Sequence, residues 1–190
     1  MAQTNQHGDL VLAETEVLRL VADPTRYAIL TELQRRGATT VAQLALRVEA
    51  SPPDVEHDLQ ALAGHGLVRP VPDPDGLRAR WEALGRGLLV EAPPDPEGRA
   101  AARLVATRMF LEAAALPPTW WADAEPRLPR DWQRAGGLVN AGLWLTADEL
   151  RAVYERVEEL TLQFAERSAT DAPEGARRVR IQCYLMPEPD

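Results

Sequence analysis

The apolar positions of residues 23–66 fall into three consecutive helical patterns, each with its own start and stop signal. Asp23-Pro24 sets a capping carboxylate before a proline at the first helical position. The run PTRYAILTELQRR then puts Tyr27, Ile29, Leu30 and Leu33 on one face and ends at Arg35, Arg36 and Gly37. Thr40 and Gln43 form a capping box that opens a short helix through Val41, Leu44, Leu46 and Val48. A turn at Glu49-Ala50 leads to Ser51, a third cap, and to a helix that buries Val55, Leu59 and Leu62 and stops at Gly64-His65-Gly66. Two short helices joined by a tight turn make a helix-turn-helix. The period then drops to two. Residues 67–71 read as a strand, PDPDG as a turn and residues 77–84 as a returning strand, with Leu77, Ala79 and Trp81 on one face and Arg78 and Arg80 on the other. A hairpin directly after a helix-turn-helix is a wing.

Proline divides the rest. APPDP at 92–96 separates an N-terminal domain, residues 10–91, from a C-terminal one, residues 97–190. Residues 97–115 form a long helical run with Leu104, Val105, Met109, Phe110 and Leu111, and residues 117–137, with four prolines, read as irregular. Thr146 and Glu149 form another capping box, before a helix whose Leu150, Val153, Tyr154, Val157, Leu160 and Phe164 share a face. Beyond Gly175, Val179, Ile181, Cys183 and Leu185 alternate with Arg180, Gln182 and Tyr184, the pattern of a half-buried strand, with residues 137–145 as its partner. The expected fold class is α+β, mostly α: a winged helix-turn-helix, a helical dimerisation segment and a small strand–helix–strand module.

Charge complicates this picture. The chain has 190 residues, 21 bases, all of them arginine, against 29 acids, and a net charge of −8. That excludes a protein that coats nucleic acid by charge alone. With 45% hydrophobic residues the chain is globular. It has no apolar run long enough to span a membrane and no signal-peptide layout at its start, so a cytoplasmic location and no membrane partner are expected.

ADPTRYAIL followed by TTVAQLALRVEASPPDVEHDLQALAGHGLV and the wing resembles the winged helix-turn-helix of the ArsR family of transcriptional repressors. The likeness covers residues 12–90, and the C-terminal block resembles the extension of longer, actinobacterial-type relatives. The resemblance implies a homodimer on double-stranded DNA, with residues 51–63 as the recognition helix in the major groove. It also implies that the 97–115 helix makes the dimer contact. The residues expected at DNA are Thr39, Thr40, Arg47, Ser51, His57, Arg69, Arg78 and Arg80. The recognition helix departs from the family pattern: it carries Asp54, Glu56 and Asp58 and no arginine. Two readings follow, a DNA reader that relies on arginines beside the helix, or a protein-interaction module whose acidic helix docks a basic partner.

Other chemistry is sparse. Residues 41–48 lack the cysteines of metal-sensing relatives, and His7, His57 and His65 are not at metal-ligand spacing. No metal, cofactor or catalytic residue is expected, and Cys183 belongs to the buried strand face. Trp120, Trp121, Trp132 and Trp144 fall within 25 residues. With Asn140 and Tyr154 they either line a pocket for a small apolar effector or fill the core of a loop-rich domain.

Overall fold

Asp23 accepts hydrogen bonds from the amides of Thr25 and Arg26 and starts a helix at Pro24, as its sequence predicts. The same logic recurs at Thr40, Ser51 and Thr146, and each cap opens a helix. The computed structural model describes residues 3–72, 79–165 and 172–188. It divides into two units between Glu112 and Ala113.

In the first unit, β1 (Gln3–Thr4) and β2 (Leu10–Leu12) precede α1 (Thr15–Ala22) and α2 (Pro24–Arg36). Then follow β3 (Thr39–Thr40), α3 (Val41–Val48), α4 (Pro52–Gly64), the wing strands β4 (Val68–Val71) and β5 (Arg80–Ala83), and β6 (Leu88–Val90). Antiparallel pairing orders one sheet β3-β5-β4, with Pro70 and Thr39 both opposite Trp81. This is a winged helix-turn-helix. Leu30, Leu33, Leu44, Val55, Leu59, Leu62 and Trp81 share one core, so the apolar faces of α2 and α4 point inward; of the face expected on α3, Leu44 is buried but Leu46 is 83% exposed, because Leu44 and its neighbour Ala45 take the inward side of this short helix. Gly37 ends α2 at φ 76°, a conformation natural to glycine. Glu49 ends α3 in the left-handed region at φ 55°, which turns the chain into α4.

The first unit also contains structure that the sequence reading does not anticipate. Val17, Leu18 and Val21 anchor α1 in the core. In a second sheet, β2 lies antiparallel to β1 and parallel to β6. A three-residue strand paired with one 78 residues later has too short a period to show in sequence.

The long helix α5 (Pro96–Thr119) begins in the first unit, where Ala101, Ala102 and Val105 are buried. Asp95 accepts from the Gly98 amide at 2.7 Å and from the Thr15 hydroxyl at 2.9 Å. These bonds, the Gly98 amide first, hold its carboxyl below the usual aspartate value. The stabilisation is therefore full above the ordinary carboxylate range and is lost as pH falls through the lowered folded value. Replacing Asp95 with Asn should reduce stability at neutral pH and shrink the loss on acidification, as urea unfolding at neutral pH and below about pH 4 would show. Equal acid sensitivity in both proteins would contradict this role.

Two expectations about the C-terminal half are corrected. Residues 117–137 are not wholly irregular. Helix α5 runs through Pro117 and Pro118, a π-helical turn follows at Trp120–Ala124 and a 3-10 turn at Glu125–Arg127, and then α6 (Arg130–Ala135). Prolines lack the amides that sustain regular α-helical bonding, and a change of helix type just beyond them is consistent with that loss. Second, α7 (Ala147–Ala165) forms behind its Thr146–Glu149 capping box, but neither flanking segment is a strand among the described residues. Alternation selects a face only when something covers it. Val179, Ile181 and Cys183 are exposed, so Cys183 is not in a buried face.

Candidate nucleic-acid interface

The second helix of the helix-turn-helix, α4, buries Val55, Leu59 and Leu62 and therefore turns Glu56, His57 and Gln60 to solvent. The three acids on it have different fates. Asp58 is largely buried and accepts from Arg26 Nε at 2.8 Å, tying α4 to α2. Asp54 accepts the Ser51 hydroxyl at 2.5 Å while its own amide bonds back to Ser51 Oγ. It thus sits at the positive end of the helix dipole. Glu56 stands exposed. The acidic character of the face is narrower than the sequence suggests by one residue: Asp58 is internal, while Asp54, which serves the helix start, and Glu56 both remain exposed.

The expected phosphate-binding residues are likewise sorted. Arg47 lies exposed in the last turn of α3 and has no ion pair among the described residues. Arg69 is exposed but bound by its cross-strand neighbour Glu82, Nε to Oε1 at 2.7 Å. Arg80 donates to the Ala38 carbonyl, which anchors the wing to the turn before β3. Arg78 lies outside the described residues. Thr40 is occupied as the α3 cap. Thr39 requires a correction: only 4% exposed, it pairs with Trp81 in the sheet and gives its hydroxyl to the Gly37 carbonyl. It supports the wing root from inside the fold.

Gln60, which the sequence reading does not name, is exposed as well. It lies one turn beyond Glu56 on the exposed side, and that spacing was the available signal. His57 is exposed, as expected. His65 caps the end of α4, with Nε2 3.9 Å from a carboxylate oxygen of Glu16.

Only part of the expected effector set gathers within the second unit: the Trp120 ring lies against Gly136, at the end of the helix that carries Trp132. Trp120 and Trp121 meet edge to face with centroids 4.8 Å apart, and Arg177 lies 5.8 Å from the Trp132 ring centre. Trp144 is fully exposed, Asn140 is exposed and Tyr154 is about half exposed. A residue open on all sides lines no enclosed pocket. Two surface clefts of about 320 and 310 Å³ lie instead in the first unit. One is lined by residues including Leu33, Gln34 and Arg86, the other by Val90, Arg99, Ala102 and Arg103 among others.

Residues 21–71 match the model of a helix-turn-helix domain family. No curated protein sequence matches the chain. Among solved structures, the chain is similar to a ZitR mutant of Lactococcus lactis in apo form at 16% identity, covering 75% of this chain and 83% of that one, TM-score 0.34. A probable transcriptional regulator from Pseudomonas aeruginosa matches at 20% identity over 75% and 89% of the two chains, TM-score 0.35. A MarR-family transcriptional regulator from Silicibacter pomeroyi matches at 16% over 78% and 80%, TM-score 0.35. No helix among the described residues is long and apolar enough to cross a membrane.

Proposed function

We propose that the chain is a homodimeric, sequence-specific DNA-binding transcription regulator, a repressor of the type its N-terminal half resembles. In this reading residues 10–91 bind DNA and residues 97–190 supply the dimerisation helix and a C-terminal module. The observation that carries it is the helix–turn–helix itself: α4 is held by a buried apolar face, its Glu56, His57 and Gln60 are left open, and Arg47 in the last turn of α3 is exposed as well. In a major groove, Gln60 offers the paired donor and acceptor that suit adenine, and Glu56 accepts from cytosine N4. Arg47, Arg78 and Arg80 serve phosphates, while the hydroxyls of Thr40 and Ser51 stay with their helix caps. The tryptophan segment becomes an effector site only where a second chain encloses it.

The test is an anisotropy titration with the DNA upstream of its own gene, from low to physiological salt. Sequence-selective binding that weakens with salt is the expected result, and no selectivity at low salt would sink the reading. The sorting of acids adds a sharper expectation. Replacing Glu56 with Gln removes a charge facing phosphate and should tighten non-specific binding by roughly threefold to tenfold. The Asp58→Asn change should not tighten it, because Asp58 already spends its charge on Arg26. Equal gains from both would mean that α4 is presented to DNA in another orientation.

A further inference from the structure

The wing is held from outside itself. Its return strand β5 ends at Ala83, and residues 84–87 then bond to the foot of β4, the N-terminal hairpin and α2. Leu84 N–H reaches the Leu67 carbonyl, just before β4, at 2.9 Å. Arg86 N–H donates to the Gly8 carbonyl at 2.8 Å. The Gly87 carbonyl accepts twice, from Leu10 N–H at 3.0 Å and from the Gln34 carboxamide at 2.9 Å. The approach is close: a methyl group at Gly87 would lie 2.5 Å from Asp9 Oδ1.

The hairpin can hold the wing because its own turn is built locally. Asn5 Oδ1 accepts the amides of His7 and Asp9, each at 2.9 Å, and Gly8 N–H returns to the Asn5 carbonyl at 3.0 Å. This is an Asx turn. Leu10 and Leu12, both fully buried, fasten the hairpin to the core at its other end. Helix α2 supplies the remaining donor, and the same helix fastens α4. Arg26, near its start, bonds Asp58 of α4 at 2.8 Å, while Gln34 holds the exit of the wing. Eight residues separate these two anchors, about 12 Å along one helix axis at 1.5 Å per residue.

We propose that Gln34 and the Asn5–Asp9 turn are positioning residues for DNA binding, which fix the wing against α4 so that both meet one duplex at once. They act through the backbone of Gly8, Arg86 and Gly87, and not by touching DNA. A wing already in place makes its phosphate contacts without further loss of freedom, whereas a loose one must be ordered at each binding event. Base contacts from α4 do not depend on them, because α4 has its own seat on the core. The inference rests on the DNA-binding reading above and names what holds the wing in it.

Two substitutions approach the grip from opposite sides. Gln34→Met keeps the side-chain length and loses the donor, and Asn5→Ala unmakes the turn. Each full-length variant is titrated beside the unaltered chain with the DNA upstream of its own gene, and with single-base changes of it, over a range of salt. Both variants should bind about threefold to tenfold more weakly, by the same factor on every sequence, with a salt slope shallower by about one. Amide exchange at Arg86 should quicken in both, while the amides of α4 keep their rates. Unchanged affinity or an unchanged slope in either variant overturns the positioning role and leaves the DNA-binding reading intact. Base discrimination lost in step with affinity also overturns it, since that marks a domain loosened as a whole. An unaltered chain that selects no sequence overturns both.

Discussion

Leu59→Ala lowers the unfolding free energy of the winged-helix unit by about 2–5 kcal/mol, the range for a buried leucine whose site cannot collapse. Leu59 is fully buried in the core that joins α2, α3 and α4, and its neighbour Asp58 makes the only described ion pair between α4 and α2. The loss therefore falls where α4 is oriented, and DNA affinity should drop even where the variant remains folded. Urea unfolding followed by far-ultraviolet circular dichroism measures the first effect. Leu59→Met, which nearly conserves volume, should cost less than about 1.5 kcal/mol. A cost below about 1 kcal/mol for the alanine would mean that α4 is not seated on this core.

Gly85→Ala should cost about 1–3 kcal/mol or more, for the opposite reason. A methyl group at Gly85 would lie 2.7 Å from Leu10 Cγ, 2.8 Å from the Leu10 amide nitrogen and 3.0 Å from the Gly8 carbonyl. Two of these neighbours are backbone, so no side-chain rotation relieves the clash. The same turn holds the N-terminal strands, through Leu10 N–H to the Gly87 carbonyl at 3.0 Å and Arg86 N–H to Gly8 at 2.8 Å. The variant should thus release β2 from β6, seen as faster amide exchange at Leu10 and Leu12, with α2–α4 less affected. Gly37→Ala is a useful contrast, since an added methyl there meets no atom within 4 Å and only the positive φ opposes it.

The candidate interface was partly legible. Positions of Arg47, His57 and Ser51 on or beside α4 follow from helical periodicity and capping alone, because both act within a turn or two. The partners of Asp58, Arg69 and Arg80 do not. Each bonds to a residue on another element, 32, 13 and 42 positions away, and no local pattern marks such a pair. Thr39 shows the same limit: a threonine before a cap reads as solvent-facing, and only the pairing with Trp81 turns it inward.

By itself the sequence determined the three core helices, their caps, the turn at Glu49 and the wing that follows, because each is written in residues a few positions apart. Tertiary structure alone decided which acids of α4 still face outward, how β2 joins β6, and that α5 continues past Pro117. It also decided that the two alternating C-terminal segments belong to no ladder among the described residues. The physical reason is common to all four. Helix starts and turns are set by local hydrogen bonds and backbone preference, whereas charge pairing, parallel strands and buried faces depend on surfaces that only the assembled fold brings together.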